Sequence, residues 1–315
     1  VQSTARRMPA GMTAFTLIWF GQLVSLIGTG MTRFALTVWA YETTGSAAVL
    51  ATVGFFSFVP VIIVTPFAGA LVDRWNRKLV MILSDLGAGI ATSALLVLYI
   101  TGNLQIWQII VAGAFAGIFE AFQFPAFSAS ISTMLTKAQY VRANAMLTVA
   151  ESASGIIAPI MAGVLLPLIG LGGIMTIDIV TCLFAVLAML VVFIPQPLRS
   201  HEGDEAHGSI WSEAAYGFRY IWRRPSLLGL QSLFFFSNLF FSMSIILLPA
   251  LILARTGNNE TTLGFVQAGF GVGGLVGGVL LSAWGGPERR IHGLLLGFIG
   301  SSLLGGSLMG IGETL

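Results

Sequence analysis

Charge is scarce in this chain: Asp, Glu, Lys and Arg together make 9% of the residues, where a soluble domain carries about 25%. Cysteine is nearly absent. Cys182 stands alone inside an apolar run, which excludes a disulfide framework and a thiolate metal site. The histidines, His201, His207 and His292, fall in polar connections with no partner at ligand spacing. No His/Asp/Glu cluster could hold a catalytic metal, and no Ser/His pair sits at one depth of an apolar run. Membrane-embedded catalysis, a resident metal and any other cofactor are therefore not expected. Short alternating strands are missing too, which excludes an outer-membrane barrel.

Apolar sequence fills the chain instead, at 56% of all residues. A helix crossing a bilayer needs about 20 mainly apolar residues. Nine stretches qualify, at 13–38, 47–72, 79–101, 105–127, 142–167, 171–195, 226–254, 261–284 and 290–311. The first is too long for a signal-peptide core and lacks a small-residue cleavage pattern, so it is span 1. The fold class is an all-α polytopic membrane protein.

The few charges set the orientation. Arg6 and Arg7 precede span 1, and Arg74, Arg77 and Lys78 separate spans 2 and 3. Lys137 and Arg142 lie between 4 and 5, Arg199, Arg219, Arg223 and Arg224 between 6 and 7, and Arg289 and Arg290 between 8 and 9; the opposite connections hold only Arg255. Cytoplasmic connections carry the excess of Lys and Arg. The amino terminus is therefore expected inside a cytoplasmic membrane, and the net charge of +2 reflects sidedness rather than nucleic-acid binding.

The longest non-apolar stretch, 196–225, divides six spans (1–195) from three (226–315). Its polar run His201–His207 leads into Ile210, Trp211, Ala214, Ala215, Phe218 and Ile221, which recur on one helical face. Arg219, Arg223 and Arg224 follow, as in an interfacial amphipathic helix. Gln22 and Gln231, Gly69 and Gly278, and Trp75 and Trp284 are each 209 residues apart. Three markers in one register indicate a duplicated six-helix unit, with Ser282 where the second copy would carry Asp73.

Gly69-Ala-Leu-Val-Asp73-Arg74-Trp-Asn-Arg77-Lys78 is the one dense charge cluster of the first 130 residues. It resembles the loop 2–3 signature of the major facilitator superfamily, with Asn76 in place of the usual second glycine. Phe20-Gly-Gln-Leu-Val-Ser-Leu-Ile-Gly28, Thr44-Gly-Ser46, Phe124-Pro125-Ala126 and Arg142-Ala-Asn144-Ala resemble its drug:proton antiporter branch, which includes macrolide-efflux proteins and enterobactin exporters. The resemblance implies two six-helix halves around a central site. With nine spans, the chain is expected to lack the last three of a twelve-helix transporter. In the family, a cluster like Gly69, Asp73, Arg74, Arg77 and Lys78 latches the halves in the outward-facing state. On physical grounds Gly69 permits close helix approach, Asp73 can meet a helix amino terminus, and the cations can pair with it or with lipid headgroups. The plain alternative is that they only fix topology.

Ser154-x-x-x-Ala158-Pro159-x-x-Ala162-Gly163 resembles the superfamily's antiporter motif, with Ser or Ala at three glycine positions. In the family the motif goes with export. Small residues around a proline also make a tight helix crossing by themselves.

Charges inside spans are costly and so point to chemistry. They are Arg33, Asp85, Glu120, Glu151 and Asp178. From the span limits, Glu120 and Asp85 lie about 10 Å from the cytoplasmic ends of their helices and Glu151 slightly deeper, while Arg33 and Asp178 lie toward the outer face. Burial and a neighbouring cation move a carboxylate's proton affinity in opposite directions, so such groups can take up and release protons. Glu120 leads, because the fourth helix lines the cavity in the resembling fold; Glu151 and Asp85 follow. Local pairing is the simpler reading for Asp85 and Asp178.

Gln22, Ser25, Thr29 and Arg33 recur every three to four residues on one face of span 1, and Gln231, Asn238 and Ser242 repeat the pattern in span 7. These stripes are candidate cavity walls, or else helix–helix hydrogen-bonding faces. Trp19, Phe119, Phe122 and Phe235 are candidates for an apolar wall. Gly269-x-Gly271-x-x-Gly274 spells a dinucleotide fingerprint, but no strand precedes it. Glycines 269, 273 and 277 read instead as a packing face.

The resemblance implies a proton-coupled exporter of amphiphilic small molecules, monomeric and surrounded by lipid. A facilitator or importer and a lysophospholipid flippase of the same fold remain alternatives. So does a non-transporting receptor or scaffold, against which the intramembrane carboxylates argue.

Overall fold

Turns as short as Gly45–Ser46 and Trp75–Asn76 leave successive apolar helices no choice but to run antiparallel. The computed structural model describes residues 11–195 and 219–284. Four helices open it: α1 (Gly11–Thr44), α2 (Ala47–Arg74), α3 (Arg77–Ile100) and α4 (Ile106–Met134). A turn of 3₁₀ helix at Lys137–Gln139 leads into the run Tyr140–Val191. At about 1.5 Å per residue that run would extend ~78 Å, far more than a hydrocarbon core of about 30 Å. Gly170 breaks it, at φ 67° and ψ 175°, a backbone that only glycine takes without strain. The two arms are α5 (140–169) and α6 (171–191). α7 (Pro225–Thr256) and α8 (Glu260–Trp284) complete the described helices.

Spans 1 to 8 therefore stand where hydropathy placed them, with several helices running a turn or more past the apolar stretch. Span 9 lies outside the described residues, as does the linker up to residue 218; the chain is helical again from Arg219 to Trp222. Local chemistry sets the ends. Asn76 caps α3, its Oδ1 accepting from the Leu79 amide at 3.1 Å. Pro225 occupies the first turn of α7, and Gly257 closes that helix in the left-handed region at φ 64°.

Two apolar cores hold the bundle. The core at the basic end, near Arg77 and Lys78, draws Phe15, Ile18, Val72, Met81, Phe127 and Met189 from α1 to α6 only. The core at the opposite end unites both halves. There Met31 and Phe34 of α1, Ala158 and Ala162 of α5 and Ile174 of α6 pack with Ile252 and Leu253 of α7 and Leu263 of α8. Every buried residue of α7 lies between Leu248 and Leu253. Among the described residues, the halves thus join at the end away from the basic loops and part toward them.

Candidate functional site

Three polar levels run through the α1–α6 unit. The first, nearest the basic end, centres on Asp85 of α3. Gln22 of α1 donates from Nε2 to Asp85 Oδ2 at 2.6 Å, and Gln123 of α4 donates to Asp85 Oδ1 at 3.0 Å and to Gln22 Oε1 at 2.7 Å. The Cys182 thiol donates to the Asp85 carbonyl at 3.1 Å. Gln22 and Asp85 are buried. A buried carboxylate must be hydrogen-bonded, and two amides from two other helices meet that demand.

The second level is an ion pair in open space. Arg33 Nη2 of α1 lies 3.1 Å from Glu120 Oε2 of α4, with side-chain exposures of 68% and 53%. Intramembrane charges are costly against lipid and characteristically face the bundle interior or a water-filled cavity. The sequence placed these residues at different depths. The apolar stretch of span 4 ends at 127, but α4 continues to Met134, so Glu120 sits midway along it. Glu120 is therefore further from the basic end than expected, within reach of Arg33. Glu151 is exposed on α5 and, among the described residues, has no hydrogen bond or ion pair to Asp85 or Glu120.

The third level is buried toward the opposite end. Asp178 of α6 accepts from the Thr29 hydroxyl at 3.0 Å and the Thr92 hydroxyl at 2.9 Å. The span 1 stripe is thus divided among the levels. Gln22 and Ser25 are buried and Thr29 is tied to Asp178, leaving Arg33 exposed. Polar groups in a membrane bundle bury against one another wherever partners exist. On α7, Gln231 and Asn238 are exposed, Ser242 is half-buried, and Asn238 donates to the Phe234 carbonyl of its own helix at 2.8 Å.

The α2–α3 loop is anchored by its cations. Arg77 is buried and donates to the Ala129 carbonyl of α4 at 2.7 Å. Lys78 donates to the Val192 and Leu190 carbonyls at 2.6 and 3.1 Å, capping the end of α6. Arg74 is exposed, and the Asp73 side chain lies outside the described residues. Among the described residues, nothing comes within 4 Å of a Cβ at Gly69, so no described helix approaches closely there in this conformation.

The α5 motif is a two-sided crossing. Gly30 of α1 faces Ala158 and Ser154, and Ala158 and Ala162 are buried. On the other side, Gly264 of α8 lies against the Pro159 carbonyl, and a Cβ on Gly163 would come 2.7 Å from the Glu260 carbonyl. Thr261 donates to the Gly163 carbonyl at 2.9 Å. The α8 packing face is Gly264, Ala268 and Gly271, the last against Ile156. Among the described residues nothing comes within 4 Å of a Cβ at Gly269, Gly273 or Gly277, so the 269/273/277 face has no described neighbour. The aromatic candidates divide as well: Phe119 packs over Gly87, Phe122 stacks on Trp75 at 6.2 Å, and Trp19 donates to the Met146 carbonyl. Phe235 is exposed.

Sequence reasoning passed over Gln123, Thr92 and Thr32. Gln123 had a signal, one helical turn after Glu120 in an apolar run. The threonines had none, since isolated Thr in a membrane helix commonly bonds its own backbone.

Comparison with known proteins agrees with this architecture. The family model described as Major Facilitator Superfamily matches residues 18–314. Macrolide efflux protein A of Streptococcus pyogenes is 27% identical over 280 residues, covering 88% of this chain and 68% of that protein. Multidrug efflux pump Tap of Mycolicibacterium fortuitum is 28% identical over 275 residues, covering 83% and 64%. The crystal structure of a bacterial homologue of the human lysosomal transporter Spinster shares the fold, with a TM-score of 0.64 at 17% identity, covering 87% of this chain and 64% of that one. The chain spans about two thirds of the length of these relatives.

Proposed function

The chain belongs to the Major Facilitator Superfamily, and from that membership we propose that the protein is a proton-coupled exporter of amphiphilic small molecules. Export is supported by relatives named for macrolide and multidrug efflux. The observation that carries the coupling reading is the Arg33–Glu120 pair, two opposite charges open to solvent between α1 and α4. Protonation of Glu120 releases Arg33, and a polar or charged substrate group competes for the same partners. Asp85 and Glu151 are the further candidates for proton uptake.

Alternating access follows from the packing. The halves part toward the basic end, which the positive-inside rule assigns to the cytoplasm, so this conformation receives substrate from the cytoplasm or inner leaflet. Closing that end brings the second half toward the α2–α3 loop, where no described residue lies within 4 Å of a Cβ at Gly69. Arg77 and Lys78 hold the loop to α4 and α6, and Gly69, Asp73 and Arg74 complete the latch with them. The protein works as a monomer in a cytoplasmic membrane with its amino terminus inside.

The test is efflux of a macrolide and lipophilic-dye panel from vesicles holding the protein under an imposed pH gradient. Gradient-dependent concentration of a panel member supports the reading, and flux indifferent to the gradient for every transported compound overturns coupling. Cysteines at Thr101 and Lys137 test the orientation. An impermeant reagent outside should label only the first.

A further inference from the structure

The third polar level has no place in the coupling scheme, yet it is the most enclosed of the three. Asp178 is 3% exposed, and the ion pair found among the described residues, Arg33–Glu120, does not include it. An ionised carboxylate this deep in a bundle is very costly unless a counter-charge or proton accompanies it. Arg33 is near enough to act on Asp178, but its guanidinium is engaged by Glu120 in the open space.

Three hydroxyls converge on the carboxylate from two further helices. Thr29 of α1 and Thr92 of α3 each give their one hydrogen to a carboxylate oxygen. Each hydroxyl oxygen keeps lone pairs that no donor fills. Thr32, one turn along α1 from Thr29, also faces Asp178. Its side chain is 5% exposed, and its Oγ1 is buried without a hydrogen-bond partner. The Thr32 oxygen, like those of Thr29 and Thr92, faces the carboxylate with lone pairs that no donor fills, and buried polar atoms in that condition call for a further partner. A small hard cation meets that need, because it takes lone pairs from carboxylate and hydroxyl oxygens alike.

We propose that Asp178 and the hydroxyls of Thr29, Thr32 and Thr92 form a binding site for one small monovalent cation of the sodium type, separate from the Arg33–Glu120 space. One negative side chain with three neutral oxygens suits a single positive charge. A divalent ion would remain half compensated in a dry site. Gly28 keeps the site closed: its bare backbone lies against Thr181 and the Asp178 backbone, bringing α1 and α6 together without a side chain between them. The ion would tie α1, α3 and α6 into one rigid unit. The site stands independently of the export reading, because its occupancy is measured without substrate or gradient.

The experiment is thermal unfolding of the purified protein in detergent at fixed pH, with sodium chloride replacing choline chloride at constant ionic strength. A ligand that binds only the folded state raises Tm saturably, so sodium should raise it by several degrees where choline does not. Thr32→Val matches the shape of threonine and leaves the Thr29 and Thr92 hydrogen bonds to Asp178 in place, so it should fold normally. It should weaken the apparent sodium affinity by about tenfold or more, since loss of even an outer-sphere partner costs a metal site about 10–100-fold. Thr32→Ser should restore the affinity, and Asp178→Asn should abolish the sodium response. No sodium response in the unmodified protein overturns the proposal, as does an unchanged response in a well-folded Thr32→Val protein. Stabilisation by acid alone, with sodium inert, makes Asp178 a proton-holding group and overturns it equally.

Discussion

The guanidinium of Arg33 lies 3.1 Å from the carboxylate of Glu120, joining α1 to α4 across open space. Because both side chains are more than half exposed, breaking the pair should cost the fold little, about 0–1 kcal/mol. Its effect should fall on transport. Glu120→Gln removes the exchangeable proton while keeping size and polarity, so efflux driven by a pH gradient should be lost. Downhill exchange of a neutral substrate should survive, because a permanently neutral side chain still allows the halves to rock. Flux and protein level measured in one vesicle preparation check this. Full gradient-driven efflux by a well-expressed variant would move the coupling role to Glu151 or Asp85.

The sequence repeat pairs Gln22 with Gln231, but the two residues do different work. Gln22 is buried against Asp85, whereas Gln231 is exposed on α7. Gln22→Leu should leave the buried carboxylate short of a donor, at a cost of about 1–3 kcal/mol. Gln231→Leu should stay within about 0.5 kcal/mol, as exposed substitutions do. Melting of the two purified variants decides it, and equal losses would mean that the pseudo-symmetry extends to their roles.

The glycines of α8 make a similar contrast. A methyl group on Gly264 would run into the Pro159 carbonyl, and backbone cannot yield as a flexible side chain does. Gly264→Ala should therefore destabilise by about 1–3 kcal/mol. Among the described residues nothing comes within 4 Å of a Cβ at Gly269, so Gly269→Ala should be neutral or gain up to about 1 kcal/mol from helix propensity. Unfolding midpoints of both variants provide the measurement.

These contrasts show where reading the sequence succeeds. Hydropathy located the eight described spans because a bilayer demands long apolar runs whatever the tertiary contacts. Small residues around Pro159 announced a close crossing, since little else tolerates helix backbones in contact. What escaped was direction around the helix axis. Gln22, Thr29 and Arg33 share a face by spacing, yet Gln22 meets α3 and α4, Thr29 meets α6 and Arg33 meets α4, and spacing along one helix cannot say which neighbours lie beside it. Depth failed at Glu120 for a related reason. Helix ends are set by capping and turns such as those at Leu135 and Lys137, which lie beyond the last strongly apolar residue.

At the end away from the basic loops, Glu260 opens α8 just beyond its apolar span and borders a cavity of about 170 Å³ with Trp39, Glu42, Tyr99 and Gly170. Burial raises the Glu260 carboxyl above the usual carboxylate range, and the neighbouring charge of Glu42 raises it further. The packed arrangement therefore binds a proton more tightly than the separated one. Its contribution is fully present below the ordinary glutamate pKa of about 4.3 and is lost as pH rises through the raised value. The α1–α8 contact should consequently loosen from acid toward neutral pH. Spin labels on cysteines at Thr43 and Asn259, in a Cys182→Ser background, read the contact as a distance. The short-distance population should fall with rising pH in the parent protein. Glu42→Gln should move the midpoint down by removing the second cause while leaving the first. Glu260→Gln should hold the contact closed across the range, and a pH response that persists there would place the titrating group elsewhere.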